Sequence, residues 1–508
     1  LNNNLELKKV DITRRIHNVI GSLKPFLRSN GFFYSILGIF IVQTLFFIVL
    51  IDKGVVPDES RHFGNIQFYA QRGIFDGPIV DSVSGKELVL GEVQRFPSYL
   101  YYYVMSFPAK VMYHFGATDA YVYLMLRILT MLSGLAGLIV LRKLLLESNA
   151  GKAISNLTIL ALSMTGMYVW MSAGVNYDIP ALLLFFLVIL FSIRFYKKGK
   201  ATDLLLLLAS FFTVSITKYT YIPFAAAVIL AAVVATIRKK SSIKEQVKSL
   251  RKSFALSKKR QPIALAIISL VLAGSFILFA ERIGGNLLMY RSFNPTCSKI
   301  HTVQECLNFA VFERNYERSQ EYKNQLADGS VQPYTYKIFE HSGLWVESYF
   351  TSAYTYKGHV KEMRDSVSSS MYILAIAMIV LFTYMLLTRR THIFTDTTQK
   401  FLVLLGAGYL LAMYVFNVLL TIRYGGETYA YQGRYILLSL AMFYLLFLLT
   451  ARSRLRSDSS GYLTLAVLVV SLLCVYTFSP FTSFFVHMGS GDWFSESAKR
   501  ILEMLNLS

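Results

Sequence analysis

Eleven or so apolar runs, each long enough to cross a lipid bilayer, constrain this chain more than anything else in it. They lie near 32–51, 119–141, 153–173, 178–194, 202–217, 221–237, 262–281, 370–388, 400–421, 435–450 and 461–479. A bilayer core has no water to satisfy backbone N–H and C=O groups, so runs of this length predict α-helices whose hydrogen bonds close within each segment. One crossing takes about 20 residues. Composition agrees, with 54% of 508 residues hydrophobic, 16% charged and a mean hydropathy of +0.47. An ordinary soluble enzyme, a collagen-like chain, a disordered tail and a disulfide knot are excluded. The expected fold class is an all-α polytopic membrane protein of about eleven transmembrane helices.

The charge balance is basic, with 51 Lys plus Arg against 30 Asp plus Glu, a net charge of +21. Position decides what this means. Lys8, Lys9, Arg14, Arg15, Lys24 and Arg28 precede the first run, so that run is expected to leave the cytoplasm, and the others to alternate. Arg142-Lys143 with Lys152, Arg194 with Lys197, Lys198 and Lys200, Arg389-Arg390, and Arg452, Arg454 and Arg456 then all fall inside. So does the stretch 238–260, with ten basic residues and a single acid, Glu245. Cations dispersed among connectors account for the net charge without a nucleic-acid partner. The scheme requires 99–115, which is Tyr-rich and carries Pro108, Lys110 and His114, to lie on the outer surface as an interfacial piece. If it spanned, every later segment would change sides.

The expected organisation is a cytoplasmic segment 1–31 and an N-terminal transmembrane module 32–282 that includes an external loop 52–118. A second external loop, 283–368, the C-terminal helices 369–479 and an external tail 480–508 complete it. The two larger loops are expected to carry interfacial helices. No small-residue cleavage site follows the first run, which reads as a retained anchor. Cys474 lies in an apolar run and is expected to pack there. Cys297 and Cys306 share one polar loop and would form a disulfide if that loop lies outside the cytoplasm. No Cys-x-x-Cys pair indicates a zinc cluster.

Ionisable residues at membrane-helix ends are costly and are functional candidates, each with an ordinary alternative. Asp58 and Glu59 follow Pro57 in the first loop, where both could simply complement a helix N-terminus. Asp178, after Asn176-Tyr177, could do the same. Lys218, in a turn that continues to Tyr221 and Pro223, could snorkel to headgroups. Arg423, Glu427, Gln432 and Arg434 form a further outer turn, and Arg95 closes the first loop. Outer cations run against the general bias, which makes Arg95, Lys218, Arg423 and Arg434 informative. Carboxylates and cations on one face suggest chemistry on an anionic lipid headgroup: Arg and Lys for phosphate, a carboxylate as general base toward a hydroxyl.

The motif Pro57-Asp58-Glu59-x-x-His62, the stretch from Arg95 to Tyr103, the Lys218-Tyr219 turn, Trp345-x-x-x-Tyr349-Phe350 and Gln432-Gly433-Arg434-Tyr435 resemble bacterial GT-C glycosyltransferases. They are similar to a branch with a Pro-Asp-Glu opening and a Gln-Gly-Arg-Tyr turn, and more distantly to protein mannosyltransferases and lipid A aminoarabinose transferases. The resemblance runs from the first helix to about residue 450 through short motifs. It implies a GT-C fold and an inverting transfer of sugar from a polyprenyl-phosphate donor, here undecaprenyl phosphate, to an envelope glycan acceptor such as O-antigen or teichoic acid. The site would face outward from a bacterial cytoplasmic membrane. It implies Asp58, with Glu59 beside it, as the catalytic carboxylate, and Arg95, Lys218 or Arg434 facing the donor phosphate. His62, Asp178, Tyr221, Trp345, Arg423, Glu427 and Gln432 are the further substrate-binding candidates. A Mg²⁺ or Mn²⁺ ion on Asp58, Glu59 and Asp178 is an alternative to a metal-free site. Competing classes are a flippase or exporter of lipid-linked saccharides, which would show inverted repeats and paired broken helices that are not evident here, and a polymerase or ligase using a lipid-diphosphate donor.

Overall fold

The computed structural model describes residues 25–73, 76, 77, 95–239, 243–331, 393–423 and 432–455, with shorter pieces within 342–352, 376–387 and 467–473. Every regular element among them is helical. The first, α1 (Asn30–Leu50), begins where the Ser29 hydroxyl accepts the Phe32 N–H at 2.9 Å, an N-cap that satisfies one of the four free donors of the first turn. It then runs 21 residues without a charged side chain, about 30 Å at 1.5 Å per residue. Two amphipathic helices follow, α2 (Glu59–Ala70) and α3 (Leu100–His114). Then come α4 (Asp119–Glu147), the pair α5 (Lys152–Ser163) and α6 (Gly166–Ala173), α7 (Asp178–Lys198), α8 (Ala201–Thr217) and α9 (Ile222–Lys239). Helix α10 (Ile243–Arg260) precedes α11 (Pro262–Phe279), which continues through a π-helical turn, Ala280–Gly284, into α12 (Gly285–Tyr290). The remaining long helices are α13 (Ala310–Ala327), α14 (Thr397–Arg423) and α15 (Leu437–Leu455).

Seven of these helical stretches are long and apolar enough to cross a membrane, or eight if α5 and α6, bent by 65°, form one broken span. The chain is thus an all-α, multi-pass membrane protein. The expected eleven are not all found among the described residues. α8 has only 17 residues, about 26 Å of helix, and the run at 370–388 is described as Ile376–Met385. The run at 461–479 and the tail lie largely or wholly outside the described residues, as does Cys474. The break between α5 and α6 falls at Thr165, whose extended backbone is held by hydroxyl contacts to the Ala161 carbonyl and the Tyr444 hydroxyl.

Side-chain bonds define two ends of the bundle. At one, Glu147 at the foot of α4 meets Lys198 at 2.7 Å and Arg194 at 3.3 Å, and Lys197 meets Asp396 at 3.2 Å. Asn156 donates to the Leu27 carbonyl, and Gln399 to that of Ser148. The start of α1, the ends of α4 and α7 and the start of α14 therefore lie together at a strongly basic end. At the other end, Arg127, eight residues into α4, donates to the carbonyls of Ile48, Ile51 and Asp52. The beginning of α4 is thus beside the end of α1, so the 99–115 segment does not cross between them. Its 15-residue helix α3 contains Pro108 and packs on α2, with Tyr103 edge-on to Tyr69. α3 is not among the stretches long and apolar enough to span, in keeping with the non-spanning place expected for 99–115.

The contact that seats the first loop is a buried ion pair. Glu59 accepts from Arg127 Nε and Nη2, both at 2.8 Å, and each carboxylate oxygen takes one further backbone N–H, from Val175 and Gly54, at 2.9 Å. Arg127 uses its five N–H bonds on Glu59 and three carbonyls. The pair therefore ties α1, α2, α4 and the turn before α7 into one joint. Gly174 lets that turn come close, since a Cβ there would meet Val56 Cγ1 at 2.5 Å. In the second loop Cys297 and Cys306 form a disulfide, Cα atoms 5.8 Å apart. Removing one partner of a buried pair strands the other charge and costs about 3–5 kcal/mol. Glu59→Gln is therefore expected to lower the thermal unfolding midpoint in detergent markedly, and more than Asp58→Asn, whose partner Arg434 keeps Asp178. Equal midpoints for Glu59→Gln and wild type would contradict this.

Candidate functional site

Asp58 and Glu59 are adjacent yet enter different environments, because Asp58 takes a left-handed backbone (φ 60°, ψ 10°) just before α2. Few non-glycine residues adopt this region, although Asp tolerates it better than most. The turn sends Glu59 inward to Arg127, and Asp58 makes no capping bond to the helix it precedes. Its carboxylate instead receives a hydrogen bond from Arg434 Nη2 and lies 3.5 Å from Arg61 Nη1. Arg434 also donates from Nη1 to the Pro57 carbonyl at 3.3 Å and from Nη2 to the Tyr435 hydroxyl at 3.0 Å. The same Nη1 lies 3.5 Å from Asp178.

Asp178 opens α7, but capping is done by Asn176, whose Oδ1 accepts the N–H groups of Asp178 and Ile179 at 3.0 and 3.2 Å. This leaves the Asp178 carboxylate for Lys218, to which it is directly hydrogen-bonded. The ammonium is boxed by aromatic faces, 5.4 Å from the Tyr177 ring, 5.6 Å from Tyr221 and 5.1 Å from Tyr435, distances at which the ring quadrupole attracts a cation. Tyr221 stacks in turn on Phe185 and Tyr409. Snorkelling does not describe Lys218, which is buried. His62 sits edge-on to Tyr177 with Nδ1 2.9 Å from the Tyr102 hydroxyl, and its Nε2 is buried without a hydrogen-bond partner. Asp58, His62, Asp178, Lys218 and Arg434, drawn from four separated parts of the sequence, thus form one polar cluster.

Its electrostatics follow from burial and pairing. Burial pushes the Asp58 carboxyl up, but the charge and hydrogen bond of Arg434, with His62 and Arg61, outweigh it and hold Asp58 below the usual carboxylate value. Burial lowers the Lys218 ammonium more than Asp178 restores it. His62 is brought down to about 4, chiefly by burial; Asp178 and Asp58 raise it, Arg434 and Lys218 lower it. It is therefore neutral near pH 7. Burial also raises the phenols of Tyr102 and Tyr177 well above their ordinary value. Exposure is graded: the Asp58 side chain is 35% accessible, against 5% for Asp178, Lys218 and Arg434. The cluster presents one ionised carboxylate at its rim, backed by buried charge.

The structure places the other sequence candidates elsewhere or in other roles. Glu59 is saturated by Arg127 and two backbone groups and has no free lone pair for catalysis, which corrects its pairing with Asp58. Arg95 is not among the cluster's contacts. It donates to Glu281 and Asn286 at 2.9 Å, pinning the end of the first loop to the π-helical turn, where buried Arg282 lies over the Tyr99 ring. Trp345 packs on Tyr349 and Tyr414, and nearby Ser352 meets the cluster's edge, where it accepts the Gly433 N–H at 2.7 Å. The Gln432 side-chain oxygen is buried without a partner. Arg423 ends α14, and Glu427 lies outside the described residues. Asp58 and Asp178 share Arg434, Asp178 also holds Lys218, and Glu59 is paired with Arg127; among the described residues no group of three His, Cys, Asp or Glu side chains is placed to hold a metal.

Sequence reasoning passed over Arg127, and gave Asn176, Tyr177 and Tyr102 no role of their own within the motifs that contain them. Arg127 carried a signal, as a lone cation inside the run at 119–141; the tyrosines carried none among 33. No protein-family model matches this chain, and comparison with curated proteins finds no match either. The functional reading therefore rests on the cluster's chemistry and on the sequence motifs. Because His62 titrates near 4 when folded and near 6.5 when unfolded, only the unfolded chain takes up its proton between those values. His62 should cost stability as pH falls from about 6.5 to 4, by up to about 3 kcal/mol. His62→Gln should flatten that part of the stability–pH curve; an unchanged slope would contradict a buried neutral imidazole.

Proposed function

We propose that this chain is an inverting glycosyltransferase of GT-C type, moving a sugar from a polyprenyl-phosphate donor, undecaprenyl phosphate, to an envelope glycan such as O-antigen or teichoic acid. The reaction takes place on the outer face of a bacterial cytoplasmic membrane, at the bundle end opposite the basic connectors. The observation that carries this reading is the Asp58 carboxylate, accessible at the rim and hydrogen-bonded to the buried Arg434. An ionised carboxylate there can take a proton from an acceptor hydroxyl. Cations fixed behind it can neutralise charge on a departing phosphate, a role worth several kcal/mol where donors are preorganised.

In the proposed step the acceptor oxygen attacks the anomeric carbon from the face opposite the phosphate. The new carbon–oxygen bond forms as the bond to the phosphate oxygen breaks. The hydroxyl proton passes to Asp58, and the electron pair leaves with the phosphate toward Arg434. When the phosphate draws Arg434 away, Asp58 loses the interaction that holds its pKa down and becomes a stronger base at the moment it is needed. Lys218, locked by Asp178 and three tyrosines, supplies fixed positive potential without contacting the phosphate directly.

The test is transfer from a synthetic polyprenyl-monophosphate sugar to acceptor by purified protein in detergent, where no membrane sidedness exists. Asp58→Asn should remain folded, with an unfolding midpoint above that of Glu59→Gln, and lose about 10²–10⁴-fold in rate, the range for a general base. Near-normal turnover in that variant would refute the assignment. Binding of the lipid without any transfer by the native chain would favour a transporter.

A further inference from the structure

Helix α10 is the most densely charged element described, and the proposed transfer makes no use of it. The chain from 238 to 260 holds ten basic residues and one acid. Its length and composition bar it from a bilayer core, yet its ends are fixed at membrane level, since it links the foot of α9, ending at Lys239, to Pro262, which opens α11. It is held against the bundle at the start of α8, where the Ser253 hydroxyl accepts the Ala201 N–H at 3.1 Å.

The helix is two-faced. Val247, Leu250 and Phe254 recur at three- and four-residue spacing and so share one side. Leu250 is half-buried, whereas Val247 and Phe254 remain 43% and 42% exposed. Arg251 and Lys258 flank this apolar stripe, with Lys248, Lys252 and Lys259 beyond them, all exposed. A basic helix with an uncovered apolar stripe, placed between the ends of two apolar helices, has the form of an interfacial helix. Clustered Lys and Arg next to a membrane span select anionic headgroups.

We infer that α10 is a membrane-surface helix that seats Val247 and Phe254 in the acyl boundary and its flanking cations among anionic phospholipid headgroups of the leaflet at the basic end. Its occupant is the lipid surface, because the apolar stripe sits where the spans terminate and the surrounding charge is complementary to acidic lipid. The inference is independent of the glycosyltransferase reading.

The experiment uses the full chain carrying Phe254→Trp, reconstituted in nanodiscs of phosphatidylcholine with one-third phosphatidylglycerol, with bromine on the acyl chains of either lipid. Wild-type protein corrects for the native tryptophans. The Trp introduced at position 254 should lose at least half its emission to brominated lipid and resist aqueous iodide. Brominated phosphatidylglycerol should quench about twofold more than its molar share predicts, and Arg251→Glu with Lys252→Glu and Lys258→Glu should abolish that excess. Quenching by iodide but not by bromolipid would overturn the proposal, as would protection from both, which would place a protein surface over the stripe. Quenching in proportion to lipid composition alone would overturn the anionic selectivity.

Discussion

Everything at the candidate site depends on one buried ion pair, Glu59 with Arg127. A charge pair out of water is tolerated only if nearly every lone pair and N–H finds a partner, and this one meets the condition through two backbone donors and three backbone acceptors. The backbone groups that complete the pair come from the end of α1, the loop before α2 and the turn before α7. Satisfying the charge and assembling the loop are therefore the same event. Once Glu59 is committed inward, the left-handed turn at Asp58 directs its neighbour toward Arg434.

The cluster built on that joint is a chain of opposite charges, Lys218 to Asp178 to Arg434 to Asp58, closed by tyrosine faces on its inner side. Charges in such a chain hold one another rigidly, and the exposed terminal member, Asp58, is the one left to exchange partners with an incoming ligand. A preorganised field behind a single accessible base is what transfer with an anionic leaving group requires. Burial keeps His62 neutral beside these charges, so that its free nitrogen can accept or donate one hydrogen bond without adding charge.

Much of this was legible in the sequence. Apolar runs gave helices and their approximate limits, because a backbone in lipid has no other way to satisfy itself, and the basic connectors anticipated the end at which α1 begins, α4 and α7 finish and α14 begins. Asp58, Asp178, Lys218 and Arg434 stood out as charges at the ends of apolar segments, and they meet. What escaped depended on three-dimensional pairing. Glu59 and Asp58 differ by one residue and diverge because of a single backbone angle. Arg95 looked like an uncommitted outer cation until Glu281 and Asn286, 186 and 191 residues away, claimed it. The 153–173 run hid a 65° bend, at which Thr165 and Tyr444, 279 residues apart, share a hydroxyl hydrogen bond.

The central claim is that Asp58 and Arg434, 376 residues apart, share one site at one end of the bundle. The most direct measurement is thiol cross-linking in native membranes with a short bismaleimide, comparing Asp58→Cys/Arg434→Cys with Asp58→Cys/Asp396→Cys in a Cys474→Ser background. The account predicts that the first pair cross-links efficiently and the second, which puts its thiols at opposite ends, does not. Cross-linking of 58 to 396 but not to 434 would contradict it.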